Sequence, residues 1–145
     1  MSYTVDVVAA VVPRDADVYA YRDELLDAKA GRRDASGAVF EHPSPEFVEL
    51  HRRLTVKFPC ICDDPDGPWS DGPLINNFGK EIATLGMSYS RVEEVLPFLV
   101  QVALAMGFSV IDGQDDKIYR PGRQPEKIRA AGETSERRPW WQFWK

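Results

Sequence analysis

The sequence predicts an α+β protein in which helices pack on one face of a mainly antiparallel sheet. The first observation is the stretch 92–106, where apolar side chains recur at helical spacing before Gly107 and a β-branched run. The second is the valine-rich segment 3–12, and the third is a pair of short apolar segments, 74–77 and 81–89. Their order along the chain suits a ferredoxin-like arrangement.

The elements before residue 90 follow from local patterns. Segment 3–12 is apolar on both faces over part of its length, which is typical of a central strand. Asp15 can cap a helix from Ala16 to about residue 30, and Ser44-Pro45 begins a second helix. Segments 74–77 and 81–89 are predicted to be two strands of a hairpin, joined by Asn77-Phe-Gly79, which has the composition of a turn.

The third helix organises the predicted core. Ser90 and Glu93 have the spacing of a capping box, and Gly107 supplies a residue that tolerates the left-handed conformation at a helix end. The core positions expected from this helix are Val92, Leu96, Leu99, Val102, Ala103 and Met106. Phe108–Ile111 reads as a core strand and Lys117–Arg120 as a last edge strand.

The pattern predicts one α+β domain over residues 1–120 and a flexible tail over 121–145. Residues 1–120 carry 12 Lys and Arg against 20 Asp and Glu, whereas residues 121–145 carry 6 against 3, which sums to the net charge of −5. An acidic body argues against nucleic-acid binding, which depends on neutralising phosphates. It is compatible with a basic protein partner.

A cytoplasmic location is expected. The N-terminal apolar run is too short and too β-branched for a signal peptide, and no apolar segment approaches the roughly 20 residues of a membrane-spanning helix. The chain has 2 cysteines, Cys60 and Cys62. Residues so close together seldom form a disulfide, and they suit a reducing compartment.

No metal or other cofactor is expected. Cys60 and Cys62, with Asp63, Asp64 and His51 nearby, lack the second ligand pair of a zinc site. One intervening residue in extended backbone would also point the two thiols to opposite sides. The loop 64–71 is rich in carboxylates, but it does not have the register of a calcium-binding loop and no glutamate closes it.

A catalytic hypothesis remains as an alternative. A small enzyme or metal-dependent protein would use His51, Cys60 and the loop Asp63–Asp71, with a Cys–His pair as nucleophile and base. No motif for an oxyanion hole accompanies these residues. A histidine at the edge of the core is the simpler interpretation.

Two segments are candidate binding sites. Trp69 and Asp71 belong to a proline-stiffened loop of the kind in which binding residues collect. Four aromatic residues end the tail, and left in water they would expose an unusually large apolar surface: Trp140, Trp141, Phe143 and Trp144. Three fates are open for them: docking on a partner, folding back onto the domain, or weak contact with a membrane surface.

Several segments resemble a group of small bacterial α+β proteins of uncharacterised function. The resemblance spans about residues 3–121 and lies in five segments: Phe47–Leu50, Lys57–Pro59, Pro68-Trp-Ser-Asp-Gly-Pro73, Arg91–Pro97 and Val110-Ile-Asp-Gly-Gln114. Gly113 stands where the group usually has proline. The resemblance implies no catalytic residues, although some such proteins resemble immunity proteins of bacterial toxin systems in size, charge and layout.

The leading functional hypothesis is therefore a non-enzymatic bacterial protein that acts by protein–protein binding, with an immunity-like role suggested by analogy. Its acidic body and its aromatic C-terminal end motivate the hypothesis. The small enzyme or metal-dependent protein described above is the alternative.

Overall fold

The α+β class is confirmed by a computed structural model that describes residues 2–30, 43–70 and 72–128. Three helices form: α1 spans Val18–Ala30, α2 spans Pro45–Lys57 and α3 spans Val92–Ala105. The strands are β1 Ser2–Val8, β2 Ile82–Ser88, β3 Ser109–Asp112, β4 Lys117–Tyr119 and β5 Glu126–Lys127. None of the helices in these ranges has the length and apolarity that a membrane crossing requires.

The five strands form one sheet in the order β2-β1-β3-β4-β5, and every neighbouring pair is antiparallel. The valine-rich β1 lies inside the sheet, as predicted for a central strand in segment 3–12. Its register pairs Val5 with Leu85 and Val7 with Ala83 in β2, and Val7 also with Val110 in β3. These buried pairs centre the core on β1.

The helices lie on both faces of the sheet, which differs from the expected single helical layer. The larger core cluster joins β1 residues Val5 and Val7 to buried residues of α2 and α3, such as Leu54 and Leu99. Val8 points the opposite way, and its cluster includes Val18 at the start of α1. On this second face only the Val8 end of β1 is apolar, and α1 covers that end, whereas Ser2, Thr4 and Asp6 occupy the rest of the face.

The ferredoxin-like arrangement is not confirmed. Strands β2 and β3 flank β1 and run parallel to each other, so α3 connects them in one split β-α-β unit. A second such unit would need a strand along the outer edge of β2. Along that edge, the residues that the structure describes form only an isolated bridge, between Trp69 and Met87.

The predicted hairpin before β2 is wrong. Leu74–Asn77 is a 3₁₀ helix, and only an isolated bridge joins Phe78 to Ala83. Leu74 and Phe78 are both fully buried in the larger core cluster. Tight turns bring these two side chains into the core, and a short apolar run does not by itself distinguish such turns from a strand.

The start of α3 also differs from the prediction. Ser90 lies in a 3₁₀ turn over Tyr89–Arg91, and Arg91 occupies the N-cap position without a capping side-chain hydrogen bond. The Arg91 guanidinium instead bonds the Glu94 carboxylate at 2.6 Å. The predicted end is confirmed, because Gly107 has a φ of 86° and Phe108 N–H donates to the Ala103 carbonyl.

The predicted core face of α3 is confirmed in its main positions. Leu99 and Ala103 are fully buried, together with Val95. Val92, Leu96, Val102 and Met106 are partly buried and pack against the same cluster.

The ordered sheet continues past residue 120, where the sequence places the end of the domain. Strand β5 pairs with β4, and Ile128 is only 3% exposed in the α1-side cluster. Arg120 is also 3% exposed and donates to the Val12 and Pro13 carbonyls and to the Glu126 carboxylate. Residues 121–128 therefore belong with the sheet.

Candidate binding surface

Part of the sheet face that carries α1 forms an open cavity of about 760 Å³. The register pairs Ser2 with Ser88 and Thr4 with Gly86, so these residues share that face, along with Thr84. Five hydroxyl side chains line the cavity, which we call the hydroxyl cavity: Ser2, Thr4, Ser70, Thr84 and Ser88. The apolar pair Val8 and Ile82, which α1 covers, lies at the other end of β1 and β2.

One rim of the hydroxyl cavity is the loop 61–70, which docks along the outer edge of β2. The Ser70 N–H donates to the Gly86 carbonyl at 3.0 Å, and the Ser88 N–H donates to the Pro68 carbonyl at 2.8 Å. Ile61, Pro65 and Gly67 of this loop also line the cavity. Backbone hydrogen bonds thus fix the rim relative to the sheet.

Gly86 lies where the loop approaches the sheet most closely. A Cβ added at this position would clash with the Ser70 hydroxyl oxygen. The residue therefore allows the loop to sit directly against β2. A larger side chain at position 86 would displace Ser70 and occupy part of the cavity.

Trp69 anchors the rim from the opposite face of the sheet. Its side chain is only 2% exposed and packs in the larger core cluster. The indole Nε1–H donates to the buried Phe58 carbonyl at 2.6 Å. Trp69 is also among the residues that line the cavity, so its binding role stays a prediction, while its buried indole holds the loop in place.

Two charged side chains lie where α1 meets the cavity. Asp6 is 7% exposed, and its carboxylate accepts a hydrogen bond from the Thr84 hydroxyl at 2.6 Å. Lys29 Nζ donates to the carbonyl of Asn77, another cavity residue, at 3.1 Å. Burial lowers the pKa of Lys29 and raises the pKa of Asp6.

Asp6→Asn is expected to gain stability relative to the wild type as pH rises. Burial raises the pKa of Asp6, while Thr84, Arg22 and Lys29 oppose this shift and Asp23 adds to it. In the window between its unfolded and folded pKa, the native state binds more protons, so the free energy of unfolding falls as pH rises. Asparagine keeps an acceptor for Thr84 without the charge.

Urea denaturation at a series of pH values from about 4 upward would measure the difference in unfolding free energy between D6N and the wild type. Between the unfolded and folded pKa of Asp6, we expect the unfolding free energy of D6N to rise relative to that of the wild type as pH increases. Above this range the difference should be constant. A difference that is constant, or that moves against the variant, would contradict the assignment of burial as the dominant influence on Asp6.

His51 and Cys60 are not brought together as the catalytic hypothesis requires. The His51 ring packs edge-on against the Phe78 ring, with 5.5 Å between centroids, and burial lowers its pKa. Cys60 Sγ accepts a hydrogen bond from the Leu74 backbone N–H at 3.3 Å. No hydrogen bond joins His51 to Cys60 within the ranges that the structure describes.

The two cysteines lie on the same side of the chain, which corrects the expectation of opposite directions. Both sulfurs would be 3.1 Å from a Cβ added at Gly72. Among the described residues, no group of three or more His, Cys, Asp or Glu side chains is arranged to hold a metal ion. The carboxylate of Asp64 accepts the Asp66 N–H within its own loop at 3.1 Å.

The motif Val110–Gln114, one of the segments that carry the resemblance, forms a hydrogen-bonded turn. Asp112 is fully buried, and its carboxylate accepts the Gln114 and Asp115 N–H groups and the Tyr3 hydroxyl. The Gln114 side chain in turn accepts from the Thr4 N–H at 2.5 Å. This turn fixes the end of β1 beside the hydroxyl cavity, and its polar groups are engaged in holding the fold.

Sequence reasoning missed the hydroxyl cavity. The signal was present as two alternating patterns, Ser2-x-Thr4 and Thr84-x-Gly86-x-Ser88, in which small polar residues recur at the two-residue period of a strand. The other predicted binding residues, Asp71 and the aromatic residues Trp140, Trp141, Phe143 and Trp144, lie outside the described residues.

No family model, curated protein or solved structure matches the chain. The resemblance to the group of small bacterial proteins therefore stays a prediction.

Proposed function

We propose that this chain is a non-enzymatic bacterial protein that binds a basic loop of another protein in the hydroxyl cavity. The observation that carries the proposal is the cavity itself, with five hydroxyl side chains on a rigid sheet and a docked loop. Hydroxyl groups both donate and accept, so this lining suits backbone and polar side chains of a partner.

The charge of the rim supports a basic partner. Asp63, Asp64 and Asp66 follow one another closely in the rim loop, and each side chain is exposed or half-buried. The body of the chain has an excess of eight acidic residues over residues 1–120, from 20 Asp and Glu against 12 Lys and Arg. Such a field speeds encounter with a positively charged surface and disfavours acidic ones.

The preorganised rim also supports recognition. Trp69 and the two backbone hydrogen bonds between the loop and β2 hold the cavity in shape without a ligand. A surface that is already ordered loses little conformational entropy on binding. A partner loop entering this cavity therefore meets hydroxyls in fixed positions.

Replacing Ser70 and Ser88 together by arginine is expected to abolish capture of the partner from the native cells. Two arginines would fill the cavity and reverse the local charge, so a basic loop would meet both a steric block and repulsion. Affinity capture with the intact chain, followed by titration of the recovered protein by calorimetry, measures the effect. We expect at least about a hundredfold weaker binding, or about 2.7 kcal/mol.

The matched control is Val56→Arg. Val56 is 73% exposed on α2, which packs on the opposite face of the sheet. This variant should capture the same protein with unchanged affinity. If S70R/S88R, shown to be folded by circular dichroism, binds as tightly as V56R, the cavity is not the binding site.

An immunity-like role is the more specific form of the proposal, and it rests on the analogy of size, charge and layout. In that case the captured protein is a toxin, and co-expression with this chain should restore growth where S70R/S88R does not. The aromatic residues Trp140, Trp141, Phe143 and Trp144 provide a second candidate contact. A chain that ends at Ile128, measured in the same assay, tests how much these aromatic residues contribute to the affinity.

A further inference from the structure

The segment after α2 is a tight turn that brings Cys60 and Cys62 close together. The Cys60 carbonyl accepts hydrogen bonds from both the Asp63 and the Asp64 N–H, each at 2.9 Å. This pattern is that of one helical turn, and the Cys60 side chain folds over it, since its Sγ accepts a hydrogen bond from the Cys62 N–H at 3.5 Å.

The two sulfur atoms also converge on one place. Each would be 3.1 Å from a Cβ at Gly72, which has no side chain to fill the space. The two thiols are also close enough to shift each other's pKa. The loop therefore presents a preformed pair of neighbouring thiols.

The two cysteines differ in accessibility, which sets the order of the two exchange steps. Cys60 is buried and Cys62 is exposed. Burial opposes ionisation of Cys60, but the N–H groups of Cys62 and Leu74 and the Cys62 thiol together lower its pKa. The neighbouring Cys60 raises the pKa of Cys62. An accessible thiol thus sits beside a buried sulfur whose thiolate is stabilised.

We propose that Cys60 and Cys62 form a redox site that low-molecular-weight disulfides of the glutathione class oxidise to an intramolecular disulfide. The Cys62 thiolate attacks one sulfur of the small disulfide, which forms a mixed disulfide and releases one small thiol. The Cys60 thiolate then attacks Cys62 Sγ and releases the second. Two electrons pass from the protein thiols to the small disulfide, and both thiol protons end on the two released thiols.

The redox site is independent of the proposed binding function, but it lies beside the hydroxyl cavity. Ile61, between the two cysteines, lines the hydroxyl cavity. The disulfide would therefore form within the rim loop itself.

The test equilibrates the full chain with glutathione buffers of increasing disulfide fraction, quenches with acid, alkylates the free thiols and reads the products by mass spectrometry. Because the chain has 2 cysteines, an intramolecular disulfide in the monomer must join Cys60 to Cys62. We expect the wild type to lose both thiols together with a mass loss of two hydrogen atoms. Cys60→Ser should instead accumulate glutathione on Cys62, because the resolving thiol is gone.

The urea-denatured wild type is the control for the preformed turn. Its equilibrium constant for disulfide formation should be at least about tenfold lower than that of the folded chain. Three outcomes would overturn the proposal: stable glutathione on Cys62 of the wild type, dimers linked through Cys62, or equal constants in the folded and denatured chains.

Discussion

Trp69→Ala is expected to lower the free energy of unfolding by about 3–5 kcal/mol, the usual cost of deleting a buried large aromatic side chain. The indole is 2% exposed and packs in the larger core cluster. Its loss would open a cavity and leave the Phe58 carbonyl without its hydrogen bond, since the Nε1–H that donates to it at 2.6 Å would be gone. Chemical denaturation followed by circular dichroism measures the change.

Trp69→Phe separates the two contributions. Phenylalanine retains much of the buried ring but cannot donate to the Phe58 carbonyl, so its cost should be about 1–3 kcal/mol. If alanine at position 69 costs no more than a surface substitution, about 0.5 kcal/mol, the indole is not part of the core. A direct binding role for Trp69 would then be favoured over a structural one.

The sequence predicted those elements whose pattern is long and regular. The α3 core positions Leu99 and Ala103 are buried as helical spacing requires, and Gly107 ends the helix in the left-handed conformation. The start of α2 is also as predicted, because the Ser44 hydroxyl accepts the Phe47 N–H at 3.2 Å. In these elements local preference and tertiary packing favour the same conformation.

The predictions failed where short segments are decided by distant contacts. Leu74–Asn77 has the composition of a strand, but burial of Leu74 in the core is achieved by a 3₁₀ turn. Ser90 has the spacing of a cap, yet the pairing of Arg91 with Glu94 and the 3₁₀ turn before α3 replace it. Such choices depend on what lies across the fold, which local spacing does not encode.

The hydroxyl cavity was hidden for a related reason. Small polar residues in a strand are usually the solvated side of a sheet, so Ser2-x-Thr4 and Thr84-x-Gly86-x-Ser88 have no functional signature alone. Their significance comes from the register that pairs Ser2 with Ser88 and from the loop docked beside them. The convergence of Cys60 and Cys62 depends in the same way on the Cys62 N–H that bonds Cys60 Sγ and on the space that Gly72 leaves beside both sulfurs.

A chain ending at Ile128 is expected to be about as stable as the full chain, whereas one ending at Arg120 should be about 3–5 kcal/mol less stable. The shorter chain loses β5 and Ile128, which is 3% exposed. It also leaves the buried Arg120 guanidinium without Glu126, although that carboxylate is 29% exposed and its loss is partly compensated by water. Thermal denaturation should show a drop of several degrees for the shorter chain only.

Both truncations remove residues 129–145, so the difference between them isolates residues 121–128. Ile128→Ala in the full chain is a second measure, at about 2–4 kcal/mol, should the shorter chain fail to fold. Equal stability of the two truncations, with an I128A variant as stable as the wild type, would return the domain boundary to residue 120. A drop already present in the chain ending at Ile128 would instead indicate that the aromatic end, including Trp140 and Trp144, folds back onto the domain.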